Sequence, residues 1–218
     1  MILGPNNKIY ASCFTGQSSL RVIEQAANGT FESSTLLLLP SFCPMFLVTE
    51  DEELIVTAMG TSIAIFKKGA SNYTLEQTLG GSAIKGLALS ADQLELVSCL
   101  WTLQVHRHNG TQFVLNQTID LGFQCFEVNF LSNLLEVHGF SSQLRFYEFN
   151  GSAYVPKFTL TTDEFKILEL NIFENGSKFT FGSDSQKIST YTFDDGSFQL
   201  SEQLETGVAI YKMFIDPN

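Results

Sequence analysis

The sequence predicts an all-β protein, a β-propeller of five four-stranded blades, on three observations. A glycine marks the third turn of each unit at Gly29, Gly69, Gly110, Gly151 and Gly196, at intervals of 40, 41, 41 and 45 residues. A period near 40 that holds four short strands is the signature of a propeller blade. Within each unit, short runs alternate apolar and polar residues, the pattern of half-buried strands. The composition agrees. The chain has 20 Phe and is only 16% charged, low against about 25% in typical domains, and β-formers outnumber stretches of strong helix formers.

The units, in order, span residues 1–40, 41–81, 82–122, 123–161 and 162–206. In the first, Lys8 to Phe14 and Leu20 to Gln25 form strands and Asn28-Gly29-Thr30 a turn, before a strand from Phe31 to Leu39. Leu36 to Leu39 breaks the alternation, as either a buried strand end or a contact patch. The second unit has strands at Met45 to Thr49, Leu54 to Met59, Ser62 to Phe66 and Tyr73 to Leu79. The third, Ser82 to Gly122, is the clearest, with Lys85 to Ser90, Leu94 to Cys99, Leu103 to His108 and Phe113 to Ile119. The fourth follows at Glu127 to Leu131, Leu134 to Gly139, Leu144 to Phe149 and Tyr154 to Leu160. Pro156 suits an outer edge strand, because it donates no ladder hydrogen bond. The fifth has Lys166 to Phe173, Ser177 to Gly182, Lys187 to Phe193 and Phe198 to Leu204. Gln77-Thr78, Gln117-Thr118 and Gln203-Leu204 recur in the last strands and support this register.

The two ends of the chain resemble one another. MILGPN at 1–6 and MFIDPN at 213–218 stand 212 residues apart, and the first unit lacks most of an inner strand. The expectation is that the C-terminal strand within 207–218 completes the N-terminal blade and closes the ring, which removes free edges. Self-association through these terminal strands is the alternative.

At pH 7 the formal net charge is −11. Clustered Lys and Arg are absent, so neither nucleic acid nor an anionic membrane is an expected partner. No run approaches 18 apolar residues, and no basic segment followed by an apolar one opens the chain, so neither a membrane helix nor a signal peptide is predicted. The four cysteines, Cys13, Cys43, Cys99 and Cys125, form no CxxC pair and lie at no zinc-ligand spacing from histidine. Free thiols in a cytoplasmic protein are therefore expected. Sequons at Asn28, Asn72, Asn109, Asn116, Asn150 and Asn175 are read as turn chemistry, Asn-Gly being the natural type I′ turn. A secreted protein follows only if they are glycosylated.

The period and the four-strand unit resemble those of the WD-repeat propeller family over almost the whole chain. The Gly-His that opens such units and the Trp-Asp that closes them are missing; Trp101 precedes a third strand and is followed by Thr102. The phrase from Asn109 to Thr118 is similar to integrin-like propeller repeats, without their acidic calcium loop. The resemblance implies architecture and transfers no catalytic residue.

Four candidate channel-lining residues follow from aligning the inner strands. Glu127 and Asn129 share one face, and Glu169 and Asn171 take the same places one blade on, where Met45, Leu47, Gly86 and Ala88 stand in earlier blades. Paired carboxylates there could hold a cation or act as acid and base. Candidate surface-binding residues are Trp101, which precedes the third strand, and His106, Arg107 and His108, read as residues flanking an exposed turn; His138 is read as a half-buried core residue. No catalytic residue, metal site or cofactor is assigned. The function expected is a non-catalytic scaffold that binds another protein through loops on a rigid frame. The alternatives are a glycan-binding, lectin-like propeller and a glycan-cleaving enzyme that uses Glu127 and Glu169.

Overall fold

The computed structural model of the chain describes residues 2–3, 8–14, 18–41, 43–81, 83–131, 134–162, 167–173, 177–194 and 197–210. These form five sheets of four strands, each built from consecutive antiparallel neighbours. The first holds β1 (Ile2–Leu3), β2 (Ile9–Phe14), β3 (Ser18–Gln25) and β4 (Phe31–Leu38). The second holds β5 (Met45–Val48), β6 (Leu54–Met59), β7 (Ser62–Lys68) and β8 (Tyr73–Gly80). In the third are β9 (Gly86–Leu89), β10 (Glu95–Cys99), β11 (Thr102–His108) and β12 (Phe113–Asp120). The fourth comprises β13 (Cys125–Leu131), β14 (Leu134–Gly139), β15 (Gln143–Phe149) and β16 (Tyr154–Thr161), and the fifth β17 (Ile167–Phe173), β18 (Lys178–Ser183), β19 (Lys187–Asp194) and β20 (Ser197–Glu205). Among the described residues no helix is long and apolar enough to cross a membrane.

At the N-terminus the arrangement differs from expectation. The innermost place of the first sheet is taken by Ile2–Leu3, paired with Tyr10 and Ile9, so that sheet has an inner strand from its own unit. The C-terminal strand invoked for the place lies, from Tyr211 on, outside the described residues.

The chain divides into two compact units, residues 1–96 with 106–114, and 97–105 with 115–218. In the first, Tyr10, Leu20, Phe46, Ile55 and Phe66 form one core cluster, and Val56, Ile65, Leu87, Leu96 and Phe113 another. In the second, Phe146, Phe179, Phe181, Tyr191 and Phe198 build an aromatic core with Leu144, Ile167 and Leu170.

The outermost strand carries a β-bulge against its neighbour in the first, second, fourth and fifth sheets, at Leu20/Arg21, Ile65/Phe66, Phe146/Tyr147 and Thr190/Tyr191. A bulge sets two residues against one and shifts the alternation by one place. This explains Leu36 to Leu39: Leu37 pairs with Leu20 and Thr35 with Arg21, which leaves Leu36 as the extra residue, and Leu39 is buried while Leu38 is exposed. Pro156, opposite Tyr147, sits beside the bulge of its own sheet.

The recurrent glutamines have a structural role. Gln77 donates from its side-chain amide to the Phe113 carbonyl (2.6 Å) and accepts the Phe113 N–H (2.8 Å). Gln117 clasps Tyr154 in the same way, at 2.8 Å for both bonds. Each therefore stitches an outer strand to the first residue of the next sheet's outer strand.

The Asn-Gly turns are not of type I′, which needs both central residues at positive φ. Gly110 and Gly151 are left-handed (φ 97° for both), whereas Asn109 and Asn150 are not. Each asparagine instead closes a four-residue loop through its own Oδ1. Asn109 accepts the N–H groups of Thr111 and Gln112 at 3.0 Å, and Asn150 those of Ser152 and Ala153 at 3.0 Å. Such asparagine turns compete well with regular backbone pairing.

Four free thiols are not what the fold contains. Cys99 and Cys125 form a disulfide between the third and fourth sheets; Cys13 and Cys43 are free. Burial pushes the Cys43 thiol up to about 11.

Candidate functional site

The fourth sheet has a polar cluster within its core. On β13, Glu127 pairs across the ladder with His138 of β14, and Asn129 pairs with Glu136. Directly opposed residues point to the same face of a sheet, so the four side chains converge. His138 and Glu136 are wholly buried (0% exposed), whereas the Glu127 side chain is 42% exposed. The imidazole Nδ1 lies 3.0 Å from Glu136 Oε1, the Asn129 amide donates to Glu136 Oε2 at 3.1 Å, and His138 Nε2 stands 3.5 Å from Glu127 Oε2. In the tautomer that carries its proton on Nδ1, the ring donates to the Glu136 carboxylate and Nε2 is left as the acceptor. That bond fixes the ring and turns Nε2 toward Glu127, which like Asn129 is partly exposed.

The local sequence builds this geometry in two ways. A register shift between Cys125 and Glu127 re-aims the start of β13, as bulges beside functional residues do. Gly139 then lets the two strands approach, because a Cβ there would lie 2.1 Å from the Gln124 carbonyl oxygen and 2.7 Å from Cys125 Cα. The disulfide at Cys125 and the bond from its N–H to the Leu100 carbonyl (2.5 Å) tie down the same end of the strand.

The equivalent positions elsewhere hold no such group. In the second sheet Val56 and Ala58 oppose Leu47 and Met45; in the fifth, Thr180 and Gly182 oppose Asn171 and Glu169. A buried carboxylate and imidazole cost several kcal/mol of lost hydration (roughly) unless they are paired and hydrogen-bonded. The fourth sheet meets that cost where its neighbours use apolar or small residues.

Of the predicted channel residues, Glu127 and Asn129 are thus brought together around His138 and Glu136. Asn171 is half-buried on β17, and its side-chain Nδ2 has no hydrogen-bond partner among the described residues. The Glu169 side chain lies outside the described residues. His138 is not half-buried but central, and Glu136 went unnoticed. The signal for both was present as Leu-Leu-Glu-Val-His, a strand with two ionisable residues where its counterparts read Leu-Ile-Val-Thr-Ala and Lys-Phe-Thr-Phe-Gly.

The predicted surface group disperses. Trp101 is exposed. His106 is not a surface residue: it is 4% exposed, alternation breaks where Val105 and His106 are both buried, and burial pulls its pKa down. Arg107 is ion-paired with Glu95. His108 accepts the Gly110 N–H at 3.2 Å and packs edge-on to Phe113. A groove of about 580 Å³ in the first unit is lined by Glu53, Lys67, Gln77, Asp92, His108 and Phe113. Lys67 pairs with Glu76 at 3.8 Å and Gln77 is held by Phe113, so these two side chains already serve the fold. Among the described residues no group of three or more His, Cys, Asp and Glu is arranged to hold a metal ion.

No family model matches the chain, and no curated protein matches it. Solved structures do. A periplasmic gluconolactonase of Pseudomonas aeruginosa is 14% identical, with a TM-score of 0.69, 93% of this chain and 68% of that chain being covered. A 6-phosphogluconolactonase-like protein from Bacteroides uniformis is 10% identical, with a TM-score of 0.77 over 98% of this chain and 74% of that one. Sqt1 from Chaetomium thermophilum, seen with the N-terminus of ribosomal protein L10, is 16% identical, with a TM-score of 0.71 over 94% of this chain and 61% of that one. At such identities the likeness is one of fold: the chain's five four-stranded antiparallel sheets are the blades of a β-propeller. It supports the propeller but not membership of the WD-repeat family.

These matches correct the functional expectation. A repeat without familiar motifs suggested a non-catalytic scaffold, yet proteins of this fold include lactonases, which are hydrolytic enzymes. Lack of a catalytic phrase in the sequence was therefore no argument against an enzyme. The fold also accommodates a protein partner in Sqt1.

Proposed function

We propose that this protein is a hydrolase that opens a cyclic ester, a lactone, with His138 as its general base. The observation that carries the reading is the buried Glu136–His138 pair aimed at an exposed carboxylate. Support comes from the gluconolactonase names among proteins of the same fold, and from the restriction of this pair to one blade in five.

Glu136 holds the ring by its Nδ1–H and Asn129 holds Glu136, so the base is oriented before substrate arrives. A water that enters beside Glu127, the partly exposed carboxylate, attacks the lactone carbonyl carbon and passes a proton to Nε2 as the new C–O bond forms. Glu127, 3.5 Å away, stabilises the resulting imidazolium. The ring C–O bond then breaks, and the proton passes from Nε2 to the departing alkoxide oxygen. Lactone and water become a hydroxy acid, and the site returns to its starting state.

The test is hydrolysis of D-glucono-1,5-lactone by the purified chain and by His138→Gln. A general base contributes roughly 10²–10⁴-fold, so the substitution should lower kcat by at least about 100-fold with the β-sheet circular dichroism unchanged. Turnover that survives His138→Gln in a folded protein removes His138 from the reaction.

A further inference from the structure

We propose that Trp101, Phe126 and Phe140 form an aromatic rim at this site and select lactones that carry an apolar side chain. The inference rests on the hydrolytic reading above and deepens it by naming the substrate class.

The three aromatics lie at one end of the second unit. Phe126 is the residue at the register shift of β13, directly before Glu127. Phe140 follows β14, two residues after His138, and its N–H donates to the Gln124 carbonyl at 2.7 Å. Two residues of extended chain span about 7 Å, so both positions are within reach of a substrate held at the Glu127–His138 pair. The two rings meet edge to face, with centroids 5.1 Å apart, a favoured geometry for an aromatic pair. Phe140 is nevertheless 42% exposed. Trp101 stands at the same end of the third sheet and is 57% exposed. Its neighbours tie it there: the Leu100 carbonyl accepts the Cys125 N–H at 2.5 Å, and Cys99 is bonded to Cys125.

These places depart from the repeat as Glu136 and His138 do. Met45 and Ala58 pair in the second sheet as Glu127 and His138 pair in the fourth. On that register the second sheet has Pro44 where the fourth has Phe126, and Gly60 where it has Phe140. A partly exposed ring gains free energy when something apolar covers it, in proportion to the apolar area taken out of water. An alkyl or aryl group on the lactone supplies that cover while the ester carbonyl meets the His138 side of the site. A polyhydroxylated ring gains less, since hydroxyls laid against phenyl rings lose water without receiving a hydrogen bond.

The experiment measures kcat/KM for δ-lactones whose alkyl side chain grows from methyl to pentyl, in the intact chain, in Phe140→Ala and in Trp101→Ala. Burying a methylene is worth up to about fourfold, so kcat/KM should rise at least about twofold per methylene in the intact chain. The rise should flatten in either variant, whatever the substitution does to the absolute rates. A merely structural role for these rings lowers every member of the series alike and leaves the slope as it was. No rise with chain length in the intact chain, or an unchanged rise in both variants, overturns the proposal and leaves the hydrolytic reading standing. If none of these lactones turns over, nor D-glucono-1,5-lactone, the hydrolytic reading falls. The matching alkyl δ-lactams, titrated against the fluorescence of Trp101, the chain's one tryptophan, then decide the rest. Affinity that climbs with alkyl length supports the rim; flat affinity or no binding overturns it.

Discussion

Two of the three histidines are buried, and they are buried in opposite ways. His106, on β11, has the Leu96 backbone carbonyl as a hydrogen-bonding neighbour, while its Nδ1 has no hydrogen-bond partner among the described residues. Burial therefore disfavours its charged form. His138, on β14, stands between two carboxylates, one buried and one exposed, with an amide behind the buried one. The first arrangement is a core residue with a polar remainder. The second holds the ring between two acids and fixes its orientation. Burial alone does not distinguish the two histidines; the acids around His138 do.

The largest effect expected comes from replacing the fourth sheet's polar pair by that of the second sheet. Glu136→Val alone leaves His138 without its orienting acid, and His138→Ala alone leaves a buried carboxylate with Asn129 as its remaining side-chain partner. Either change should cost about 3–5 kcal/mol, because it strands a charge or dipole out of water. The double change installs the Val56 and Ala58 pair that the second sheet already carries at these positions. It should cost much less than the sum of the two, as apolar replacement of whole buried ion pairs often does. Chemical denaturation of the four proteins measures the coupling. Additive losses would mean that the two residues act separately, and the shared-proton geometry would lose its basis. Lactonase activity should be absent from all three variants.

A smaller effect is expected from the glycine that permits this packing. Gly139→Ala puts a methyl within van der Waals overlap of the Gln124 and Cys125 backbone, which cannot swing aside as a side chain could. The cost should be about 1–3 kcal/mol, with a fall in activity as Glu127, two residues from Cys125, is displaced. Gly80→Ala is the matched control. It also lies in a strand, and a Cβ there meets nothing within 4 Å. Equal stability of the two variants would show that the close approach at Gly139 is not constraining.

The legibility of the sequence divided along the same line. The repeat, its four strands and most strand limits were readable, because alternation and turn glycines are local signals that five copies reinforce. The clasp made by Gln77 and Gln117 showed as a recurrence, although its purpose required the neighbouring backbone. The buried acid–imidazole pair was harder. Glu136 and His138 oppose Asn129 and Glu127 across a ladder, and a pairing between strands cannot be seen from spacing along one of them. Their departure from the repeat was nevertheless visible, since Val56 and Ala58 occupy the same places in a clearer unit. His106 misled for a related reason: the alternation that should have put it beside His108 on an exposed end fails where Val105 and His106 are both buried. The Cys99–Cys125 bond joins two sheets across 26 residues, and nothing in either local phrase announces it.

The smallest effect separates the two histidines by pH. Burial holds the His106 pKa below the ordinary 6.5. Between those two values the unfolded chain binds a proton that the folded chain does not, so folding stability rises with pH there. The contribution is fully present above pH 6.5 and is lost as pH falls through the folded value. His106→Gln removes this titration while keeping a polar group beside the Leu96 carbonyl. Urea midpoints measured from pH 7.5 down to 5 should decline more steeply in the parent than in the variant. If the two slopes coincide, His106 titrates normally, is hydrated, and the contrast with His138 would rest on the carboxylates alone.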